Sequence, residues 1–367
     1  MSRKTMMAPE KILAFFLQNQ PQISLRPLGL GKINDTWLVT LNSKERLVLQ
    51  RLPAAVFPDP QCVMHNIRLI TNCLHAWSQQ AEVHVPFLSL YTNPDGEDLF
   101  IDPDKNGWRL LTYIEGSRTV EELESTQQAY QIGRMLGRFH TILADVDQDR
   151  LQEPLPGFHD TLSYLEKYDR ISRRSAVNTL EEITCIQFIG QMRDIAATFA
   201  ERTDTLTRLV IHGDPKASNF LFAENDDIVI SIIDLDTVQA GLLLHDLGDC
   251  LRSCCNRQGE EHDNPKGTVF SADYFAAILK GYGSVAASLL GDADLQLLSD
   301  AAGLISFELG IRFFTDHLCG NRYFKTSRKN QNLDRALIQF HLADSIIRQQ
   351  PLLQTIAADI FRTSPMR

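Results

Sequence analysis

HGDPKASN at residues 212–219, followed by IIDLDT at residues 232–237, decides the fold of this chain. Before the first motif, RLVIH predicts an apolar strand, and Gly213 and Pro215 predict a turn directly after it. The strand IVISII is expected to run into the second motif, so that its end meets the turn. Four side chains would then converge on one point: Asp214, Lys216, Asn219 and Asp234.

These side chains suit phosphoryl transfer. That reaction needs a carboxylate that orients the attacking hydroxyl, oxygen ligands for Mg²⁺, and cations over the phosphates. The spacing of His, Asp, Lys and Asn equals that of the protein-kinase catalytic loop, and Asp234 falls where those enzymes have their metal-binding Asp. The motifs therefore predict a kinase that uses ATP and Mg²⁺. The alternative is a surface loop of ordinary turn formers, and we expect His212 to pack structurally rather than to carry protons.

The composition favours a globular enzyme with a small-molecule substrate. A length of 367 residues predicts two lobes or domains around a cleft. The formal net charge of -10 gives no global positive field for a nucleic acid. No segment approaches the roughly 18 apolar residues of a membrane span, and the apolar run from Ile12 to Leu17 stops at Gln18. We expect a cytoplasmic protein with no nucleic-acid, membrane or obligate protein partner.

The seven cysteines predict reduced thiols, because their number is odd and their spacing forms no regular framework. Cys250, Cys254 and Cys255 could share a helix face with His245 and Asp249 as a metal cluster. Burial of these thiols as small apolar side chains is favoured, because the chain has no paired CxxC motifs.

The character of the chain changes near residue 115. Residues 1–115 contain short apolar runs that predict mostly antiparallel sheet, with a hairpin over 33–50 and one inserted helix over 61–77. Residues 116–367 are dominated by long amphipathic segments that predict helices. The predicted fold class is α+β, with a β-rich N-terminal lobe and a larger, mostly helical C-terminal lobe that holds the kinase motifs.

Between the first predicted strand and the hairpin, LGLGKIN predicts a glycine turn at Gly29 and Gly31. Backbone N–H groups that no side chain screens could cover phosphates there. A plain hairpin turn explains the same residues equally well, and the position upstream of the catalytic motif favours the nucleotide role.

The two motifs resemble the aminoglycoside phosphotransferase and choline kinase superfamily, whose signature is HGDxxxxN followed by a strand ending in ID. Further segments, among them INDTWLV, FHDT at 158–161, GDCLR at 248–252 and ELGIRFF, look like the bacterial N-acetylhexosamine 1-kinases. This resemblance runs from residue 29 to residue 339. It implies a bilobed protein-kinase-like fold, ATP bound between the lobes, and transfer of the γ-phosphate to the anomeric hydroxyl of a hexosamine as the small-molecule acceptor.

The resemblance also implies roles for the matching positions. Asp214 would be the catalytic base, and Lys216 would contact the γ-phosphate. Asn219 and Asp234 would be the Mg²⁺ ligands. The nucleotide contacts would be Gly29, Gly31, Lys32, Gln50, Thr112, Tyr113 and Ile114, the last three in the hinge that meets adenine. The acceptor contacts would be Asn34, Asp236, Arg312, Tyr323 and Arg335.

Arg312 is the strongest candidate for an acceptor contact. As a helical residue it could also be solvated or pair with Glu308 four positions earlier. Asp236 could hold the sugar, assist a second metal or accept N–H groups of a turn. Asp246 and Asp249 are expected to cap and brace the helix that follows.

The strand LVLQ departs from the protein-kinase pattern. Gln50 stands where those enzymes place a phosphate-binding Lys, and Arg68 lies near the position of its Glu partner. Arg51 or Lys32 could supply the missing charge. The resembling hexosamine kinases also have Gln there, which favours a family trait. The alternative is a pseudokinase or a nucleotide-binding regulatory module.

Other acceptors stay open at this point: an aminoglycoside, choline, homoserine or another hydroxyl compound. Cationic acceptors need an acidic or aromatic cage. The C-terminal half has scattered acids and no aromatic cluster that is evident from the sequence, which disfavours choline and leaves aminoglycosides open.

Overall fold

The computed structural model describes residues 7–18, 24–29, 31, 33–42, 44–81 and 85–362. The chain divides into two compact units. Unit 1 comprises Met1–Glu115 and Gln152–Leu155, and unit 2 comprises Gly116–Leu151 and Pro156–Arg367. Lys32, predicted to contact the nucleotide, lies outside the described residues.

The described residues of unit 1 form a six-stranded antiparallel sheet, with strands β1 (Ser24–Pro27), β2 (Asp35–Thr40), β3 (Arg46–Leu52), β4 (Leu90–Tyr91), β5 (Phe100–Ile101) and β6 (Gly107–Thr112). The strand order is β1-β2-β3-β6-β4, with β5 paired to β6. The hairpin predicted over 33–50 is confirmed, because β2 and β3 pair antiparallel.

Two helices belong to the described part of unit 1, α1 (Pro9–Leu17) and α2 (Pro60–Gln80). The sequence sets the start of α2, because Asp59 accepts hydrogen bonds from the N–H groups of Gln61 and Cys62 and Pro60 occupies the first turn. The buried side chains of α1 pack in one cluster with side chains of the sheet, including the stacked rings of Trp37 and Trp108, whose centroids are 5.5 Å apart. Burial of this apolar surface holds the sheet and α1 together.

Unit 2 is mostly helical, which confirms the α+β class with helices concentrated in the C-terminal part. Its long helices are α3 (Thr126–Leu143), α4 (Thr161–Ser172), α5 (Leu180–Ala200), α6 (Leu243–Cys254), α7 (Ala272–Ala286), α8 (Asp292–Leu318) and α9 (Gln331–Arg362). In the part of the chain that the structure describes, no helix combines the length and apolarity needed to cross a membrane.

Short strands inside unit 2 carry the kinase motifs. They are β7 (Ser117–Arg118), β8 (Arg208–Ile211), β9 (Phe220–Ala223), β10 (Val229–Ile232) and β11 (Gln239–Leu242). β8 pairs antiparallel with β11, and β9 pairs with both β10 and β7. The strands predicted at RLVIH and IVISII are therefore confirmed, and each ends at a catalytic motif.

Helices α3 and α7 approach each other closely through glycines. A Cβ atom at Gly133 of α3 would overlap the backbone carbonyl of Ile278, and one at Gly281 of α7 would overlap the carbonyl of Tyr130. Backbone atoms cannot move aside as side chains can, so both positions exclude a larger residue.

Gly133→Ala should lower the free energy of unfolding by about 2–3 kcal/mol, because the added methyl group forces α3 and α7 apart. Chemical denaturation followed by circular dichroism measures this change. Gly190→Ala in α5 is the matched control, since nothing lies within 4 Å of its would-be Cβ. In that exposed helical position alanine should be neutral or stabilise by up to about 1 kcal/mol. Equal effects at the two positions would contradict the proposed packing.

Candidate active site

The catalytic loop begins where β8 ends. His212 is fully buried, and Gly213 follows with a φ of +87°. A Cβ atom at Gly213 would lie 2.6 Å from the backbone oxygen of Thr237, so only glycine fits both the backbone angle and the space. The hydroxyl of Thr237 donates to the carbonyl of His212 at 2.8 Å, which ties the loop to the second motif.

The predicted catalytic side chains lie together, as the sequence predicted. Lys216 Nζ donates to Asp214 Oδ2 at 2.5 Å and is 4.0 Å from Asp234 Oδ2. Asn219 Nδ2 donates to the backbone oxygen of Asp214 at 2.8 Å. The N–H of Ile233 donates to the carbonyl of Asn219 at 2.9 Å, so the end of β10 is fixed against the loop.

Both members of the Asp214–Lys216 pair are charged near neutral pH. Burial opposes the charge of Asp214, but Lys216 and the nearby Arg252 hold the pKa of Asp214 below its ordinary value. Burial likewise opposes the charge of Lys216, yet Asp214 and Asp234 raise the pKa of Lys216 above its ordinary value. About a third of each side chain is exposed, so the pair remains open to a ligand.

Asn219 and Asp234 offer hard oxygen donors of the kind that Mg²⁺ prefers. The amide nitrogen of Asn219 faces the Asp214 carbonyl, which turns its amide oxygen away from the loop. Asp234 has a left-handed backbone conformation with φ of +67°, at the point where β10 gives way to a helical turn. The donor set therefore fits a magnesium ion that takes its remaining ligands from phosphates and water.

Asp246 fixes the start of the catalytic loop. Its carboxylate accepts from the N–H of His212 at 2.6 Å and from the N–H of Gly213 at 2.7 Å. It also contacts Nε2 of His140 at 2.9 Å. Burial opposes its charge, but the hydrogen bonds from His140 and His212 hold the pKa of Asp246 below its ordinary value.

The prediction that Asp246 and Asp249 cap the start of the helix is wrong. Helix α6 begins at Leu243 with no side-chain cap, and Asp246 points its carboxylate at the preceding loop instead. Asp249 accepts from Nε of the buried Arg252 at 2.7 Å. The N–H of Ala217 donates to Oγ of Ser253 at 3.1 Å, so the polar positions of α6 brace the catalytic loop.

Arg312 lies in a cage of aromatic rings that the sequence did not make evident. Its guanidinium carbon is 5.1, 5.3 and 5.7 Å from the ring centres of Phe158, Tyr164 and Phe324. Among the described residues the guanidinium has no hydrogen-bond or ion-pair partner. Burial opposes this charge, but the neighbouring phenols and the carboxylates of Glu308 and Asp214 raise the pKa of Arg312. Its N–H groups are therefore charged donors that no acceptor in the described part of the chain engages.

The expectation that the C-terminal half lacks an aromatic cluster is thus wrong. The rings come from segments that are far apart in sequence, residues 158–164 and residues 323–324. The alternative pairing of Arg312 with Glu308 does not form. The carboxylate of Glu308 instead meets Nδ1 of His159 at 3.2 Å and accepts from the hydroxyl of Thr161 at 2.9 Å.

The remaining candidates for acceptor contacts in unit 2 differ in burial and in whether their polar groups already have partners within the fold. Asp236 is buried in the helical turn after Asp234. The Tyr323 ring is partly exposed and packs on Phe324, with ring centres 4.8 Å apart. Arg335 is buried and donates to Glu261, to Asn332 and to the carbonyl of Lys325, so its donors are used within the fold. Arg335 therefore belongs to a hydrogen-bond network that joins α9 to Glu261 and Lys325.

The glycine turn of unit 1 is only partly described. Gly29 has a φ of +71°, which favours glycine. A Cβ atom at Gly31 would lie 2.9 Å from the carbonyl oxygen of Asn34, so a side chain there would collide with the backbone before β2. These two observations are compatible with a turn that presents bare backbone, and Asn34 forms part of that turn in unit 1.

Gln50 is held by an arginine that sequence reasoning missed. Arg109 of β6 is buried opposite Gln50 of β3 and donates to its amide oxygen through Nε at 3.0 Å and a terminal nitrogen at 2.7 Å. Arg51, which could supply the missing charge, pairs with Asp35, and Arg68 pairs with Asp98. The sequence feature that could have revealed this contact is the single arginine in β6, whose sequence GWRLLT is otherwise without charge.

The predicted hinge residues lie at the end of β6, with Thr112 as its last residue and Tyr113 and Ile114 directly after it. The N–H of Thr112 donates to the carbonyl of Ser89 at 3.0 Å, and the N–H of Tyr113 donates to the carbonyl of Arg46 at 3.3 Å. The Arg46 guanidinium also lies 4.2 Å from the centre of the Tyr113 ring. Ile114 is buried. These contacts fix the backbone that would meet adenine.

The three cysteines of α6 and its end agree with the interpretation that they are buried as small apolar side chains. Cys250, Cys254 and Cys255 are buried, and the described residues contain no group of three or more His, Cys, Asp or Glu side chains arranged to hold a metal. Hydrogen bonding to Cys254 and burial raise the pKa of Cys250 well above its ordinary value, so this thiol stays protonated.

Comparison with known proteins places the chain in a family. The model of the phosphotransferase enzyme family (APH) matches residues 24–288, which is most of the chain. The protein belongs to the phosphotransferase enzyme family and is a phosphotransferase of that family.

Solved structures share the fold at low sequence identity. An aminoglycoside phosphotransferase from Alicyclobacillus acidocaldarius is 15% identical, with a TM-score of 0.60 over 98% of both chains. The amicoumacin kinase hAmiN, solved with AMP-PNP, Ca²⁺ and Ami, is 15% identical, with a TM-score of 0.58 over 97% of this chain and 93% of that chain. A choline kinase from Cryptosporidium parvum is 13% identical, with a TM-score of 0.57 over 95% and 98%. These similarities confirm the protein-kinase-like α+β fold.

Asp246→Asn should lower the free energy of unfolding at pH 7 by about 2–3 kcal/mol, because charge-assisted hydrogen bonds to two backbone N–H groups are weakened. Urea denaturation of both proteins measures the difference. Since the pKa of Asp246 is lowered in the folded state, the difference should be full above about pH 4 and shrink as the pH falls through the folded pKa. The exposed Asp204 provides the control, and Asp204→Asn should change stability by less than about 0.5 kcal/mol. A difference that is unchanged at low pH would contradict the role of the charge.

Proposed function

We propose that this protein is an ATP- and Mg²⁺-dependent kinase whose acceptor is a hydroxyl of a sugar, most specifically the anomeric hydroxyl of an N-acetylhexosamine. One observation carries the kinase part of the proposal. Lys216 lies within 4.0 Å of both Asp214 and Asp234, and Asn219 is fastened to the same loop, so the groups required for phosphoryl transfer converge.

Asp214 orients the acceptor in this proposal. Lys216 engages Oδ2, which leaves Oδ1 to accept a hydrogen bond from the acceptor hydroxyl. As the acceptor oxygen forms its bond to the γ-phosphorus, the bond to the bridging oxygen breaks, ADP leaves, and the hydroxyl proton passes to Asp214. A carboxylate with a lowered pKa is a weak base, which suits a loose transition state where the proton moves late.

The remaining groups of the site stabilise the negative charge of the phosphates in this proposal. Lys216 donates to an oxygen of the transferring phosphoryl group, while Asn219 and Asp234 would hold Mg²⁺, which supplies charge neutralisation at the phosphates. The nucleotide contacts that we propose in unit 1 are Gly29, Gly31, Gln50, Thr112, Tyr113 and Ile114. The amide oxygen of Gln50 accepts from Arg109, and its NH₂ group donates to Oγ1 of Thr36 at 3.4 Å, so the second N–H of that group is the one we propose for the nucleotide.

Arg312 supports an acceptor that is rich in oxygen and carries no positive charge. A cationic acceptor would be repelled by the guanidinium, which already fills the aromatic cage that a choline or aminoglycoside ammonium would need. A sugar presents hydroxyl and acetamido carbonyl oxygens to such donors and an apolar ring face to the aromatic side chains. Together with the sequence resemblance, this favours the N-acetylhexosamine.

The N–H groups of Arg312 also favour one other class of acceptor. A guanidinium without a protein acceptor binds carboxylates in a bidentate manner, so a hydroxy acid such as homoserine is the second candidate. A pseudokinase is less well supported, because the complete set of Asp214, Lys216, Asn219 and Asp234 is present and assembled.

Purified protein with Mg·ATP should convert N-acetylglucosamine or N-acetylgalactosamine to a 1-phosphate, detected by mass spectrometry across a panel that also contains homoserine, choline and an aminoglycoside. Asp214→Asn should lower kcat by about 10²–10⁴-fold and leave ATP binding nearly intact. Asp226→Asn, in the exposed turn between β9 and β10, should keep full activity. Turnover of homoserine alone would replace the sugar, and ATP binding without any transfer would support the pseudokinase.

Arg312→Gln should raise the KM for the acceptor by about 10–100-fold, because charged donors to the acceptor oxygens are lost, while the KM for ATP stays close to its original value. Initial rates at varied acceptor and ATP concentrations separate the two constants. Arg348→Gln is the control, since Arg348 is a largely exposed arginine of α9 that pairs with Asp344. If both constants rise equally, Arg312 does not contact the acceptor specifically.

A further inference from the structure

His159 is a buried histidine beside the catalytic loop whose role the sequence left unassigned. It lies in the FHDT segment, directly before Asp160, the residue that caps α4. Its backbone has a φ of +62°, an uncommon conformation for a residue with a side chain. The conformation turns the imidazole ring inward, where only 7% of the residue is exposed.

Both ring nitrogens of His159 face acceptors. Nε2 is 2.8 Å from the backbone oxygen of Gly213, which can only accept. Nδ1 is 3.2 Å from Oε1 of Glu308, whose other oxygen accepts from the hydroxyl of Thr161. A neutral imidazole has one N–H and could satisfy only one of these acceptors, whereas an imidazolium satisfies both.

The electrostatic surroundings agree with this protonation state. Burial alone would lower the pKa of His159, but Glu308 of α8, Asp249 of α6 and the Gly213 carbonyl raise it above its ordinary value. Burial together with His159 lowers the pKa of His245, also on α6, to about 3, so this neighbour stays neutral at working pH. Glu308 is buried, and His159 holds the pKa of Glu308 below its ordinary value despite that burial.

The hydrogen bond to Gly213 acts on the peptide that leads into Asp214. The oxygen of this peptide accepts from His159, and its N–H, which belongs to Asp214, lies 3.3 Å from Nδ1 of His212. The preceding peptide is held through the Gly213 N–H by Asp246. Both peptides that flank Gly213 are therefore fixed, and the direction of the Asp214 side chain depends on them.

Glu308 also links the hydrogen bond between His159 and Gly213 to Arg312, the proposed acceptor contact. Arg312 is one helical turn further along α8, and the charges of Glu308 and Arg312 influence each other. Glu308 therefore contacts His159 directly, His159 contacts the Gly213 carbonyl, and Arg312 acts on Glu308 through its charge without a hydrogen bond.

We propose that His159 is a positioning residue that works as an imidazolium, shared between Glu308 and the Gly213 carbonyl, and holds the catalytic Asp214 in register with the acceptor. This inference rests on the proposed function for the role of Asp214, and it adds a residue, a protonation state and a pH dependence to it.

Protonation of His159 can be observed without any activity. Long-range ¹H–¹⁵N spectra of the full chain, labelled with [¹⁵N]histidine, should show an imidazolium that persists above about pH 6.5, where a free imidazole becomes neutral. That signal should be missing in His159→Gln. In Glu308→Gln the same ring should become neutral at lower pH, because the carboxylate that stabilises the cation is gone. A wild-type spectrum without such an imidazolium would overturn the proposal.

Kinetics test the positioning role. His159→Gln and Glu308→Gln should lower kcat by about 10–100-fold with little change in the KM for ATP, as expected for a misplaced catalytic group. Wild-type kcat should fall as the pH rises through the raised pKa of His159, and this alkaline decline should vanish in His159→Gln, whose side chain does not titrate. His341→Gln, at a partly exposed histidine of α9, should keep both kcat and the pH profile.

The outcomes separate this inference from the proposed function. If Asp214→Asn is inactive while His159→Gln keeps wild-type kcat, the kinase stands and the positioning role fails. A loss that is equal at every pH, with the alkaline decline retained, would mark His159 as merely structural and would also overturn the proposal. Should His159→Gln fail to fold, the spectrum and the kinetic pH profile of Glu308→Gln decide. The imidazolium signal and the alkaline decline of kcat should both move to lower pH in this variant, and unchanged positions would overturn the proposal.

Discussion

The carboxylate of Asp246 holds the catalytic loop in place, and the candidate active site depends on it. It accepts the N–H groups of His212 and Gly213, two donors that a turn with a positive φ cannot use in regular secondary structure. A buried donor without an acceptor costs about 1–3 kcal/mol, so the loop conformation needs this partner. His140 completes the arrangement from α3, which means that a contact between distant helices fixes the peptide geometry at Asp214.

Opposite charges are interleaved throughout the site although the chain as a whole carries a formal charge of -10. Lys216 lies beside Asp214 and Asp234, Arg252 beside Asp249, and His159 beside Glu308. In each of these three pairs the carboxylate compensates the cation for lost hydration. Arg312 differs from them, since aromatic faces surround it and, among the described residues, no carboxylate pairs with it directly. Its donors therefore remain free for an acceptor, which links the electrostatics of the fold to the choice of substrate.

Unit 1 differs from the protein-kinase pattern in the position of a positive charge near Gln50. The strand position that carries lysine in those enzymes is Gln50, and the nearest strand supplies Arg109 as a buried cation bonded to the amide oxygen. The NH₂ group of the same amide donates to Oγ1 of Thr36 on β2 at 3.4 Å. The positive charge is thus kept within the sheet, on β6 rather than on β3.

The sequence by itself determined the fold class, the antiparallel hairpin of unit 1, and the set of Asp214, Lys216, Asn219 and Asp234. These follow from local patterns, because strand periodicity, turn residues and motif spacing act over a few neighbouring positions. It also pointed to Arg312 through resemblance, without revealing what surrounds it.

Only the tertiary structure decided the contacts that join distant segments. The aromatic cage of Arg312 combines residues 158 and 164 with residue 324, and the partners of His159 are residues 213 and 308. Asp246 was read from the sequence as a helix cap because it stands early in a helix, yet its carboxylate serves the loop before that helix. No local pattern encodes such contacts, since hydrogen bonds between buried groups are chosen by the packing of the whole unit and not by neighbours in sequence.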